Sequence, residues 1–174
     1  PELQLWVAAC LYKGSCDVYR AFIGEMDDAT ADRHYRDGMA LGTTLQVPPE
    51  MWPADRAAFN RYWEQSLGKL HIDDAVRDYL YPIAVSRMPG IQLPWPLQGL
   101  YERFALLITT GFLPQRFRDE MKLDWDPVKQ EQFDRVIALV RFVNKLTPSV
   151  IRAFPFNLLL HDLDWRIRSG RPLV

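Results

Sequence analysis

Residues 1–12, Pro-Glu-Leu-Gln-Leu-Trp-Val-Ala-Ala-Cys-Leu-Tyr, decide the fold. From Leu5 to Tyr12 apolar side chains fall on every face of a helix, and a helix of that kind is surrounded by protein. The pattern predicts a helix over about Glu2–Phe22, ended by Gly24, as the central helix of the fold. The rest of the chain reads as further helices laid around it.

The 13 prolines do not argue against helix, because most of them stand where a helix would begin and the missing N–H costs nothing there. A second helix follows the acidic pair Asp27-Asp28 and runs to about Leu41, with Gly42 as its stop, before Val47-Pro48-Pro49 breaks the chain. The third opens at Pro53 with Asp55 in its first turn and turns Phe59, Tyr62, Trp63 and Leu67 inward. A short fourth is capped by Asp73, directs Val76, Tyr79 and Leu80 inward, and is bent or ended by Pro82. Residues 87–95 read as a loop.

The fifth helix aligns Leu97, Leu100, Tyr101, Phe104, Leu107 and Ile108 on one face until Gly111 stops it. Pro114 starts a brief sixth helix containing Arg116, Phe117 and Met121. Asp126 as cap and Pro127 at the first position open the seventh, which carries Phe133, Val136, Ile137, Val140 and Val143. After Pro148 a single turn holds Ile151. After Pro155 a last helix runs through Leu158, Leu159, His161, Leu163 and Trp165 to Gly170. No segment alternates apolar and polar residues between turn signals, so no sheet is predicted. The fold class is therefore all-α, a compact multi-helix arrangement with crossing helices, and residues 1–174 are expected to form a single domain.

At 174 residues, 48% hydrophobic and 13% aromatic, the chain has enough material for one well-filled core. Its formal net charge of -1 gives no basic surplus for a phosphate backbone, so no nucleic-acid partner is expected. Arg166, Arg168 and Arg171 read as a solvated helix end. The most apolar run, Phe104–Leu113, covers about half of the ~20 residues that a membrane helix needs, so no transmembrane segment is expected. Cys10 and Cys16 lie on different faces of one helix and read as small buried hydrophobes, which suits a reduced, cytoplasmic protein, at most peripheral to a membrane. A chain that begins at Pro1 and is helical at once is expected to have lost upstream material.

Candidate chemistry is sparse. His34 sits among Arg33 and Arg36 on a polar helix, and His71 precedes the cap Asp73, so both read as surface residues. His161, near Leu158 and Trp165, reads as a satisfied core histidine before it reads as a ligand. No two histidines have ligand spacing, so no metal site is assigned. The carboxylates of Asp73, Asp74, Asp162 and Asp164 are explained as caps and solvated faces, and no nucleophile elbow or phosphate loop occurs. No residue is assigned a catalytic role.

Several local signatures, in order, resemble the MpaB/rubber oxygenase family, which includes the latex-clearing proteins. They are Pro-Glu-Leu-Gln-Leu-Trp-Val at residues 1–7, Tyr19-Arg-Ala-Phe-Ile-Gly24, Leu41-Gly42, Val47-Pro48 with Trp52-Pro53, and Phe59-Asn-Arg-Tyr62. Gly111-Phe-Leu-Pro-Gln-Arg-Phe-Arg118 and Leu123-Asp-Trp-Asp126 continue the series. The resemblance implies a globin-like helical core with extra helices that holds haem b and uses dioxygen to oxidise or cleave a hydrophobic, isoprenoid-like substrate. It also implies that the chain corresponds to the C-terminal portion of that catalytic domain. In that family the iron-ligating histidine follows the Trp of this helix by two residues, where this sequence reads Trp6-Val7-Ala8. Alanine cannot ligate iron. With Ala8 at the family's ligand position, Trp6, Ala9, Tyr12 and His161 are the remaining candidates for a haem pocket. Three readings stay open: a haem protein whose ligand is His161 or lies upstream, a haem-free domain that binds a hydrophobic small molecule or a protein partner, and a structural fragment.

Overall fold

The computed structural model describes residues 1–86 and 94–171. Among them are eight α-helices, one 3-10 turn and no strand. The order is α1 (Glu2–Phe22), α2 (Asp28–Thr44), the 3-10 turn (Pro49–Met51), α3 (Arg56–Lys69), α4 (Asp74–Ala84), α5 (Trp95–Phe112), α6 (Gln115–Glu120), α7 (Pro127–Leu146) and α8 (Ser149–Ser169). The all-α expectation holds. Of the expected loop over residues 87–95, positions 87–93 lie outside the described residues.

Aspartates start four of the eight described α-helices. Asp27, Asp55, Asp73 and Asp126 each accept a hydrogen bond from the backbone N–H three residues on, at 2.7–2.8 Å, which satisfies a donor that the helix itself leaves unpaired. Asp55 is thus the N-cap of α3 rather than a first-turn residue, and Pro53 lies outside that helix. Arginines finish three, α1, α3 and α5. Arg141 of α7 donates to the carbonyls of Arg20 (2.8 Å) and Ala21 at the end of α1. Arg116 donates to those of Leu67 (3.2 Å) and Leu70 at the end of α3. Arg118 donates to those of Thr110 (2.9 Å) and Gly111 (3.1 Å) at the end of α5. A guanidinium presents a cation and a fork of donors where orphan carbonyls converge, so one side chain both caps a helix and ties it to its neighbour.

The core lies where α1 meets α2, the 3-10 turn and α3. Leu5, Ala8, Ala9 and Tyr12 are buried at helical spacing, together with Tyr35, Val47, Trp52 and Phe59. Gly38 of α2 is needed here, because a Cβ at that position would stand 2.7 Å from the Tyr12 ring. The other face of α1 differs from expectation: Leu3, Val7, Leu11 and Val18 are exposed, so α1 packs along one stripe and is not enclosed by the described residues.

Several boundaries also move. Gly42 does not stop α2, which continues to Thr44; Gln46 makes the turn instead with φ of +64°, as Val47 N–H returns to the Gly42 carbonyl at 2.9 Å. Pro155 does not start a helix, because α8 runs unbroken from Ser149 to Ser169. Val76 and Tyr79 of α4 point outward, and Leu97, Leu100 and Phe104 of α5 are at least half exposed.

Gly111 is not a helix stop either. It lies one residue inside α5, where α5 and α7 approach so closely that a Cβ would fall 2.2 Å from the Phe133 ring. That ring is itself held edge-on by Phe112 at 5.3 Å and by Trp125 at 6.1 Å. Gly111→Ala is therefore expected to destabilise the fold by about 1–3 kcal/mol, the usual cost of overpacking, even though alanine favours helix by about 1 kcal/mol. A lower urea midpoint with an unchanged slope is the expected readout, and a raised midpoint would contradict the close α5–α7 contact.

Candidate functional site

Trp6, Ala8, Ala9 and Tyr12 are brought together by the period of α1 and by what packs on it. Ala8 and Ala9 are fully buried and Tyr12 is 6% exposed. A helical side chain leans toward the helix N-terminus, so the Tyr12 ring covers the turn that carries Ala8. That ring meets Phe59 at 4.8 Å and Tyr35 at 5.4 Å, both edge-on. Trp6 stacks on Trp63 of α3 at 5.1 Å, and Phe59 lies parallel to Trp63 at 6.4 Å. The surroundings of Ala8 are thus a filled aromatic cluster.

The polar groups of this cluster are few. The Tyr35 hydroxyl donates to the Pro53 carbonyl at 2.5 Å, and burial, aided by the Asp55 charge, pushes its pKa up to about 12. Burial and a hydrogen bond with Cys16 push the Tyr12 phenol well above its ordinary value. Both stay neutral at physiological pH. The buried indole N–H of Trp52 finds no acceptor. Indole N–H is a donor only, so it cannot serve as an iron ligand.

The histidines lie elsewhere. Half-buried His34 shares a 2.8 Å hydrogen bond with Ser15 of α1 and lies against the Tyr12 ring at 5.5 Å. Ser15 also donates to the Tyr12 carbonyl at 2.7 Å, so its hydroxyl is not poised as a nucleophile. The polar face around His34 in the sequence hid this contact, which depends on the α1–α2 crossing. His71 is exposed, 3.8 Å from Glu120. His161 is exposed on α8, contrary to its reading as a core residue, and lines only a shallow depression with Leu158, Asp162 and Trp165. It does not join Trp6, Ala9 and Tyr12. No group of three or more His, Cys, Asp or Glu suited to a metal occurs among the described residues.

Haem iron therefore finds no ligand at Ala8 as these residues stand. Ala8 offers no donor atom, it is fully buried in the aromatic cluster, and no histidine belongs to that cluster.

Cavities open to either side of the α5–α7 contact. One of about 770 Å³ lies between α1, the end of α5 and α7, with Ala21, Phe112, Phe133 and Ile137 in its walls. A second, of about 510 Å³, lies between α5, the segment after α6 and the start of α7, with Phe104, Leu107, Leu123 and Trp125. Both volumes fall within the range of small-molecule sites. A smaller, more enclosed space of about 180 Å³ beside Tyr12, Cys16 and Arg56 is mostly polar. Arg56 is tied there to Asp32 at 2.8 Å and Asp28 at 3.4 Å. Cys10 and Cys16 are half-buried free thiols, and burial pushes the Cys10 thiol up. No described helix is long and apolar enough to cross a membrane.

The chain is similar to an uncharacterized protein of Mycobacterium bovis and to one of Mycobacterium tuberculosis. Each is 44% identical over 174 residues, which is 100% of this chain and 67% of the relative. No solved structure matches the chain. Residues 1–142 match the family model described as "ER-bound oxygenase mpaB/B'/Rubber oxygenase, catalytic domain". With the greater part of its length matched, and with the signature segments above falling on α1, α3 and the α5–α7 junction, the chain belongs to the MpaB/rubber oxygenase catalytic-domain family.

Proposed function

We propose that this chain is an oxygenase-family helical domain that binds a hydrophobic small molecule and does not ligate haem through α1. The observation that carries this reading is the complete burial of Ala8 in an aromatic cluster at the place where the family's ligand histidine would stand. Family membership supports a substrate of hydrophobic character, and the apolar cavities against α5 provide room for one. Two free cysteines suit a reducing, cytoplasmic setting. Residues 1–174 act as one domain in this reading.

A second reading adds to the oxygenase description the haem that the sequence resemblance implies. There the domain works as a haem-b oxygenase, with its iron ligand taken from a segment outside these residues. The chain's own contribution would then be the apolar wall and the packing of α1, not the axial ligand.

One spectrum separates the two. The full-length protein, with the segment that the second reading calls on for its ligand, is produced with added haem, purified, and examined for a Soret band and a pyridine-haemochrome signal. The proposal expects neither at stoichiometric level. A stoichiometric haemochrome would overturn it and favour the second reading.

A further inference from the structure

The cavity between α5 and α7 has an apolar floor and a charged rim. Leu100, Phe104, Leu107, Leu123 and Trp125 supply the floor. Arg103 from α5, Lys122 from the turn after α6 and Lys129 from the first turn of α7 stand around it. Against these three cations the lining contains one carboxylate, Asp124. The cations are not consumed by the fold. Arg103 forms no ion pair with another described residue, and Lys122 reaches Asp74 only at 3.5 Å. Lys129 donates to a neutral group, the Asp124 backbone carbonyl, at 2.9 Å.

A greasy floor ringed by a surplus of positive charge, three cations against the one lining carboxylate, matches one kind of molecule. We propose that this cavity binds an amphiphile with an apolar chain and an anionic head, a carboxylate or a phosphate, with the chain on Phe104, Leu107 and Trp125 and the head among Arg103, Lys122 and Lys129. A neutral hydrocarbon would leave the cations unused, and a cationic amphiphile would be repelled by them. Arg118 reinforces the site from outside: its guanidinium lies 4.4 Å from the Trp125 ring, fixing that wall and adding to the local positive field. The inference deepens the proposed function by naming the class of hydrophobic ligand, and it rests on that reading.

The test is a calorimetric titration of the whole chain, below micelle-forming concentration, with dodecanoate, dodecyl phosphate, dodecanol and dodecyltrimethylammonium. At least one of the two anions is expected to bind about tenfold more tightly than dodecanol, and the ammonium most weakly of all; the tighter anion identifies the headgroup. In the double variant Arg103→Gln/Lys129→Gln the anion is expected to fall to the affinity of the alcohol, while the alcohol is unchanged. Both positions are exposed or half-exposed at the rim, so the fold is retained, and far-ultraviolet circular dichroism checks it. Equal affinity for anion, alcohol and ammonium would overturn the inference while leaving a hydrophobic ligand in place. So would a double variant that keeps its preference for the anion. If no amphiphile binds at all, the ligand-binding reading itself is overturned.

Discussion

Ala8→His is expected to destabilise the chain without giving it haem. A histidine there would be a gain-of-function change if a vacant pocket faced α1, but Ala8 has no exposed surface and shares its cluster with Tyr12, Tyr35, Trp52 and Phe59. An imidazole adds several heavy atoms to that cluster, at about 1–3 kcal/mol for overpacking. It also buries a polar ring, at about 1–3 kcal/mol where no partner is found. The Tyr35 hydroxyl already donates its proton to the Pro53 carbonyl, and the unsatisfied indole N–H of Trp52 can meet only one of the two ring nitrogens. The sum, roughly 2–6 kcal/mol, is a large part of a typical domain's net stability of about 5–15 kcal/mol.

The control is one position away. Val7 is 43% exposed on the outer stripe of α1, so Val7→His is expected to cost well under 1 kcal/mol. Urea unfolding of both variants, with visible spectra after haem addition, separates burial at position 8 from any general dislike of histidine in α1. A stable Ala8→His variant carrying stoichiometric haem would mean that the cluster opens to admit the group, and the closed-site reading would fall.

Legibility in the sequence followed the range of the forces involved. Local signals were read well: Asp126 followed by Pro127, and Asp73 before α4, act through bonds three residues long and appear as written. The arginine caps were not read, because Arg141 and the α1 carbonyls it binds are about 120 residues apart in sequence. Gly111 was mistaken for a stop because a glycine that permits close approach and one that ends a helix look alike until the neighbour, Phe133, is known. The all-round apolar pattern of α1 was visible, but pattern gives no inventory of neighbours, and one of its faces is open among the described residues. The burial of Ala8 was legible from the apolar run around it. That its surroundings are filled by rings from α2, the segment at Trp52 and α3 was not, since those rings are brought together only by packing.

The cluster that fills this place also sets the largest stability effect expected of a single truncation. Phe59 is 1% exposed and stands at the centre of the aromatic group, with Tyr12 at 4.8 Å, Tyr35 and Trp52 at 5.8 Å, and Trp63 at 6.4 Å. Rings from α1, α2, the segment after the 3-10 turn and α3 all converge on it, and no single helix can shift to refill the space without drawing the others along. Phe59→Ala is therefore expected at the full cost of a buried phenylalanine, about 3–5 kcal/mol. For a chain of this length that corresponds to roughly 2–4 °C of Tm per kcal/mol. Phe156 of α8 is 71% exposed, and the same chemical change there is expected within about 0.5 kcal/mol of zero. Comparing the two phenylalanines removes the intrinsic difference between Phe and Ala from the measurement. Equal midpoints for Phe59→Ala and Phe156→Ala would show that the core does not converge on Phe59, and the argument that Ala8 is walled in by that core would lose its support.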